Sequence, residues 1–113
     1  MKYLMLGLIT ETGQQLRGPD LEAWMAEIMA WYEKQGSAGT LADPGHQLDW
    51  PDKAKTVRAG AVTDGPYMEA KEVLGGYSLV EAATIDEAVE LAKTWPGLDR
   101  GWITMEVRPV MVM

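Results

Sequence analysis

Lys2-Tyr3-Leu4-Met5-Leu6-Gly7-Leu8-Ile9 is the stretch on which the fold turns. It is rich in strand formers and apolar at both parities: Tyr3, Met5 and Ile9 on one side, Leu4, Leu6 and Leu8 on the other. A strand sends successive side chains to opposite faces, so a run apolar on both belongs in the middle of a sheet covered on both sides. One cover lies next along the chain. After the turn-like Thr12-Gly13, Pro19 suits the first turn of a helix, and Leu21, Trp24, Met25, Ile28 and Tyr32 recur at helical spacing as far as Gly36. Met29 and Trp31 widen this stripe beyond what one sheet face needs. That fits either additional core or the lining of a pocket or interface, and Trp31 is counted among the candidate ligand contacts.

Further on, Thr40 to Ala42 reads as a strand interrupted by Pro44-Gly45 and resuming from His46 to Leu48; Pro51-Asp52 is a loop, and Thr56 to Val62 is a partner strand. Asp64-Gly65-Pro66 is a turn, the charged run from residue 67 to 74 a connector, and Gly75-Gly76 a turn into a strand that ends at Ala82. Thr84-Ile85-Asp86-Glu87 has the spacing of a capping box and starts a second helix. Its stripe of Ile85, Ala88, Val89, Ala92 and Trp95 stops at Pro96-Gly97. Trp102 to Arg108 alternates as the last strand. The order β-α-β-β-(β)-α-β predicts an α+β ferredoxin-like sandwich, an antiparallel sheet with two helices on one face. Two helices leave the other face bare, and a second copy of the chain is the simplest cover. The apolar Val110-Met111-Val112-Met113 is suited to add to that contact.

The 113 residues make one domain, 1–113, long enough for one core and too short for two. No apolar run reaches the roughly 18 residues that span a bilayer. Met1 to Ile9 lacks the cationic start and cleavage site of a secretory signal, so a cytoplasmic location is expected. With no cysteine, thiolate metal sites and cysteine nucleophiles are excluded. A formal charge of -7 with no Lys/Arg cluster argues against nucleic acid or an acidic membrane as a direct partner.

Val62-Thr63-Asp64-Gly65-Pro66-Tyr67, Glu69-Ala70-Lys71-Glu72, Gly75-Gly76-Tyr77, Asp86-Glu87-Ala88 and Val107-Arg108-Pro109-Val110 together resemble the YCII-related family, specifically its DGPF-type branch, with Tyr67 in place of the usual phenylalanine. The resemblance covers the chain from about the first helix to Pro109. It implies a dimeric α+β barrel, in which two ferredoxin-like sheets face each other. Members of the wider fold include cofactor-independent isomerases, decarboxylases and monooxygenases that work in a cleft between sheet and helices, and some relatives are labelled as linked to transcription initiation. The wider family often pairs a histidine on the first helix with an aspartate. That helix has no histidine here, the matching position falling near Ile28, so the dyad is not carried over.

The residues that remain for chemistry are few. His46, the sole histidine, lies in Asp43-Pro44-Gly45-His46-Gln47-Leu48-Asp49 and is the leading general base, against the plainer reading of an exposed strand histidine. A metal site from Asp43, His46 and Asp49 fails, because strand alternation puts the aspartates on one face and the histidine on the other unless Pro44-Gly45 bulges. Asp64 either bonds the backbone of its own turn or projects into a pocket as base or orienting group. Tyr67 either packs or offers its hydroxyl to a ligand, and Arg58 has the guanidinium fork that holds a carboxylate or phosphate. Five tryptophans and eight methionines make an adaptable apolar interior. Two functions are expected on these grounds. One is an acid-base enzyme, using neither metal nor nucleotide, that employs His46 and Asp64 on a small, partly hydrophobic molecule; the other is a non-catalytic small-ligand-binding or regulatory module, linked to transcription.

Overall fold

The computed structural model describes residues 1–66 and 71–113, so the expectations for Tyr67 and the start of the connector lie outside the described residues. In chain order the elements are β1 (Lys2–Ile9), α1 (Glu11–Gln14), α2 (Gly18–Ala38), β2 (Leu41–Gln47), a 3-10 turn (Pro51–Lys53), β3 (Lys55–Arg58), β4 (Ala61–Asp64), β5 (Val73–Glu81), α3 (Ile85–Ala92) and β6 (Ile103–Pro109). Strands β2, β5, β1 and β6 form one antiparallel sheet in that order, with β1 inside it as its two-sided apolar pattern requires. This is the ferredoxin-like strand order.

Register fixes the faces. Tyr3 lies opposite Val80, Met5 opposite Ser78 and Gly7 opposite Gly76. These positions turn toward the helices, where Trp24, Ile28 and Trp31 of α2 and Ala88 and Ala92 of α3 complete a buried core with Tyr3, Met5, Val80 and Ile103. Burying each large apolar side chain contributes roughly 1.5–3 kcal/mol. Leu4 opposite Leu79 and Leu6 opposite Tyr77 turn the other way, and no element of the described chain lies over them; Tyr77 remains 36% exposed. Among the described residues, no helix is long and apolar enough to cross a membrane.

Local chemistry explains where the elements start and stop. Thr84 caps α3 by accepting from the Glu87 N–H at 3.2 Å, while Glu87 reaches back to the Ala83 N–H at 2.8 Å, one residue before the position a capping box normally serves. Thr10 caps α1, a short helix in place of the expected turn at Thr12-Gly13, and its hydroxyl also donates to the Gly101 carbonyl at 2.5 Å. Gly13 is pressed against the Trp102 carbonyl, where no side chain fits.

Four expectations are corrected. The stretch from Thr56 to Val62 is a hairpin and not one strand, because Gly60, at φ +80°, turns the chain back between β3 and β4. Gly75 and Gly76 lie inside β5, which begins at Val73, and Gly76 is paired on both sides, with Gly7 and Gln47. Met29 is 70% exposed and takes no part in the core. The register of β2 slips between Asp43 and His46, so that Asp43 lies opposite Leu79 and His46 opposite Tyr77, on one face of the sheet. The irregularity at Pro44-Gly45 has undone simple alternation.

Gly97 sets a steric constraint on the packing of α2. Its φ of +90° disfavours any side chain, and an added Cβ would sit 2.6 Å from Trp24 Nε1, the donor that holds the Pro96 carbonyl at 2.9 Å. Gly97→Ala is expected to lower unfolding free energy by at least about 1–3 kcal/mol from backbone strain alone. Urea denaturation followed by tryptophan fluorescence measures it; an unchanged midpoint would contradict this account.

Candidate functional site

Between the helix-side face of the sheet and α2 lies a cavity of about 400 Å³, within the range of small-molecule sites. It exists because the middle of the sheet lacks side chains. Gly7 and Gly76 face each other across β1 and β5, Gly75 adds a third bare position, and a Cβ on Gly75 would strike Ile9 at 2.6 Å. The helix therefore rests on Tyr3, Met5 and Val80 at one end and spans a hollow at the other. Trp24, Met25, Ile28 and Tyr32 of α2 form the roof, Trp95 stands at one wall, and the chain from Pro44 to Trp50 forms the rim.

The lining is mostly apolar with a few polar groups. Ser78, 1% exposed, interacts with the hydroxyl of Tyr32. Burial pushes the Tyr32 phenol above its ordinary value, an effect that this hydrogen bond partly offsets, so the group stays neutral and able to donate at physiological pH. Trp95 Nε1 is buried beside the rings of Trp31 and Tyr32, without a hydrogen-bond partner among the described residues. Such an orphan costs about 1–3 kcal/mol, which a ligand oxygen reaching it would recover. At the rim, Asp49 accepts from Lys53 at 2.9 Å and from the Trp50 N–H at 2.8 Å; these bonds hold its carboxyl below the usual range. No Lys or Arg lines the cavity, among the described residues.

The residues singled out in the sequence are not brought together. His46 borders the cavity at the β2 rim, but it is exposed, and its Nδ1 lies 3.1 Å from the Tyr77 hydroxyl. Opposite Tyr77, which is itself opposite Leu6, its register position belongs to the sheet face turned away from α2. Asp64 is 87% exposed on β4 and paired with Lys55, outside the cavity, as is Arg58 on β3. Trp31 is buried behind the wall, its indole donating to the Thr94 hydroxyl at 2.9 Å. Asp43 bonds the Gly45 N–H at 2.8 Å and Asp49 bonds Lys53, so these two do not converge with His46; among the described residues no three such groups form a metal cluster.

Tyr32, Ser78 and Trp95 are the polar groups that sequence reasoning passed over. Tyr32 and Trp95 are hidden within helical apolar stripes, and the only signal for Ser78 is a hydroxyl at an inward strand position opposite Met5.

The raised Tyr32 pKa has a consequence for stability. The folded state holds the proton more tightly than the unfolded chain, whose tyrosines titrate near pH 10. Its contribution is thus complete below about pH 10 and lost as pH rises through the folded value. Denaturation midpoints measured from pH 8 to 11 should fall at the alkaline end, and less steeply in Tyr32→Phe; equal slopes would count against a buried phenol.

Three comparisons bear on kinship. The model of the YCII-related domain matches residues 1–113. An uncharacterised protein of Rhizobium meliloti (strain 1021) is 34% identical over 93 residues, covering 79% of this chain and 74% of the other. Among solved structures, 5-chloro-2-hydroxyhydroquinone dehydrochlorinase (TftG) from Burkholderia phenoliruptrix AC1100, in complex with 2,5-dihydroxybenzoquinone, superposes with a TM-score of 0.56 at 17% identity, over 100% of this chain and 96% of that one. The ferredoxin-like sheet, the sequence motifs and the full-length family match agree: this chain belongs to the YCII-related family.

Proposed function

We propose that the protein is a cytoplasmic homodimer that binds a small, uncharged, ring-shaped organic molecule in the cavity between the sheet and α2. One observation carries this reading: an apolar hollow floored by Gly7, Gly75 and Gly76, roofed by aromatic rings, with the Tyr32–Ser78 hydroxyl pair as its buried polar contact. A flat ring can lie against bare backbone where a side chain would block it, and the aromatic roof matches its faces. The hydroxyls then hold a ring oxygen. A carboxylate is disfavoured, since among the described residues no Lys or Arg lines the site and Asp49 stands at the rim. The apolar sheet face with Leu4, Leu6 and Leu79 is where a second copy would pack.

A second reading is a proton-transfer enzyme, free of metal and nucleotide, with His46 as base assisted by Tyr77. It is favoured by the shared fold with a dehydrochlorinase whose ligand is a hydroxylated quinone, and by the position of the His46–Tyr77 pair at the rim. The plain binding module comes first because His46 is exposed and Asp64 is remote from the hollow. A regulatory role in transcription would use the same bound form.

Intrinsic tryptophan fluorescence reports directly on the roof and wall. Uncharged phenols and quinones of one or two rings should change this emission and raise the melting temperature, while their carboxylated counterparts should not; saturation at 100 times Kd adds about 2.7 kcal/mol. Met25→Trp, which projects bulk into the roof, should abolish both responses. Uniform failure of uncharged rings to bind would sink the proposal. Turnover of a bound ring that His46→Ala abolishes, with binding retained, would move the enzyme reading to first place.

A further inference from the structure

Strands β3 and β4 form a two-stranded sheet separate from the main one, and neither packs to any extent on another strand or helix of the described chain. Such a hairpin is marginally stable by itself in water and needs something to lie on. Its own internal ties are good: Gly65 N–H to the Ala54 carbonyl at 2.7 Å, the Thr56 hydroxyl to the Gly65 carbonyl at 2.8 Å, and the Lys55–Asp64 ion pair. These close its base. What they leave is a directly opposed pair, Val57 and Val62, which are 77% and 64% exposed. Alternation puts both on the face that also carries Lys55 and Asp64, so the hairpin offers a small apolar patch edged by a charge pair.

We infer that this hairpin is a clasp between two copies of the chain, laying Val57 and Val62 on the partner subunit. The inference rests on the homodimer reading above and extends it. Area supplies the first argument. At ordinary strand spacing, the open face of four strands about seven residues long covers roughly 450 Å². A stable interface takes about 800 Å² from each partner, so the sheet face alone falls short. A further apolar surface has to contribute, and the hairpin is a structured one. Shape supplies the second. A compact chain of this length has a radius of gyration of about 13 Å. Here it is 15.1 Å, with extents of 44 × 42 × 19 Å, so the chain is broad and flat for its length. The hairpin follows from the end of β2 at Gln47, beside Gly76 of β5, so it springs from the edge strand of the sheet. A second copy docked on the open face would meet the chain at this edge.

Sedimentation velocity or size exclusion with light scattering tests this on the intact chain. Wild type should run at twice 12.5 kDa. The double variant Val57→Asp/Val62→Asp should raise the dimer dissociation constant by about tenfold or more, as expected when a desolvated anchor is lost. Thr63→Asp, on the other side of the hairpin, should change it little. Leu6→Asp, in the centre of the open face, should give monomers. Wild-type monomers would overturn both the dimer and the clasp. A dimeric wild type, split by Leu6→Asp but unaffected by the valine pair, would overturn the clasp alone. Should the valine variant fail to fold, hydrogen exchange on wild type decides: residues 55–64 should lose protection on dilution into monomer, and protection independent of concentration would overturn the clasp.

Discussion

The structure depends on a deficit of side chains in one place. Gly7 and Gly76 oppose each other across the two central strands, so the sheet has nothing to offer α2 over part of its length. Close packing is restored on either side of the gap, by Met5, Ser78 and Val80 on one flank and by Ile103 and Met105 on the other. A helix as long as Gly18–Ala38 can bridge such a gap because its ends are fixed independently. Trp24 is tied to the Pro96 carbonyl and Trp31 to Thr94, so α2 is bonded to the chain after α3 and does not settle onto the glycines. Collapse, the usual fate of an apolar hollow, is opposed by two indole hydrogen bonds and a cluster of rings.

The polar groups follow from the same geometry. Ser78 lies opposite Met5 on a central strand, almost fully buried, and its natural partner is whatever hydroxyl the helix presents. Tyr32 is that group. The pair satisfies itself when the cavity is empty and can share a bond with a guest at low cost. His46 and Tyr77 differ: both are exposed, His46 on the edge strand β2 and Tyr77 beside it on β5, and their register positions belong to the face turned away from α2.

Much of the fold was legible in the sequence because it rests on periodicities. The two-sided apolar pattern of Lys2 to Ile9, the helical stripe from Leu21 to Tyr32 and the Thr84 cap each follow from local chemistry, and each appears where expected. The bare second face was legible from helix count alone. The hairpin was not, since Thr56 to Val62 alternates acceptably and only the positive φ of Gly60 reveals the reversal. The site was less legible than the fold. Asp64 drew attention because its turn is distinctive, yet the turn closes a hairpin at a distance from the cavity. The cavity itself is made by residues that lack chemistry, and three glycines distributed over two strands carry no sign in sequence that they meet.

The irregularity in β5 carries a consequence for how the two surfaces of the sheet are related. Gly7 lies opposite Gly76 while Leu8 lies opposite Leu74, so Gly75 is one residue in excess. Were Gly75 an ordinary paired residue, strict alternation back from Gly76 would put Leu74 on the α2 side, toward the void. Because Gly75 is bulged out of the pairing, Leu74 turns outward beside Leu8. The bulge at one glycine thus keeps greasy bulk apart from empty room, because regular pairing of the same residues would carry Leu74 across the sheet. The two surfaces of this sheet are coupled through the pairing of one strand.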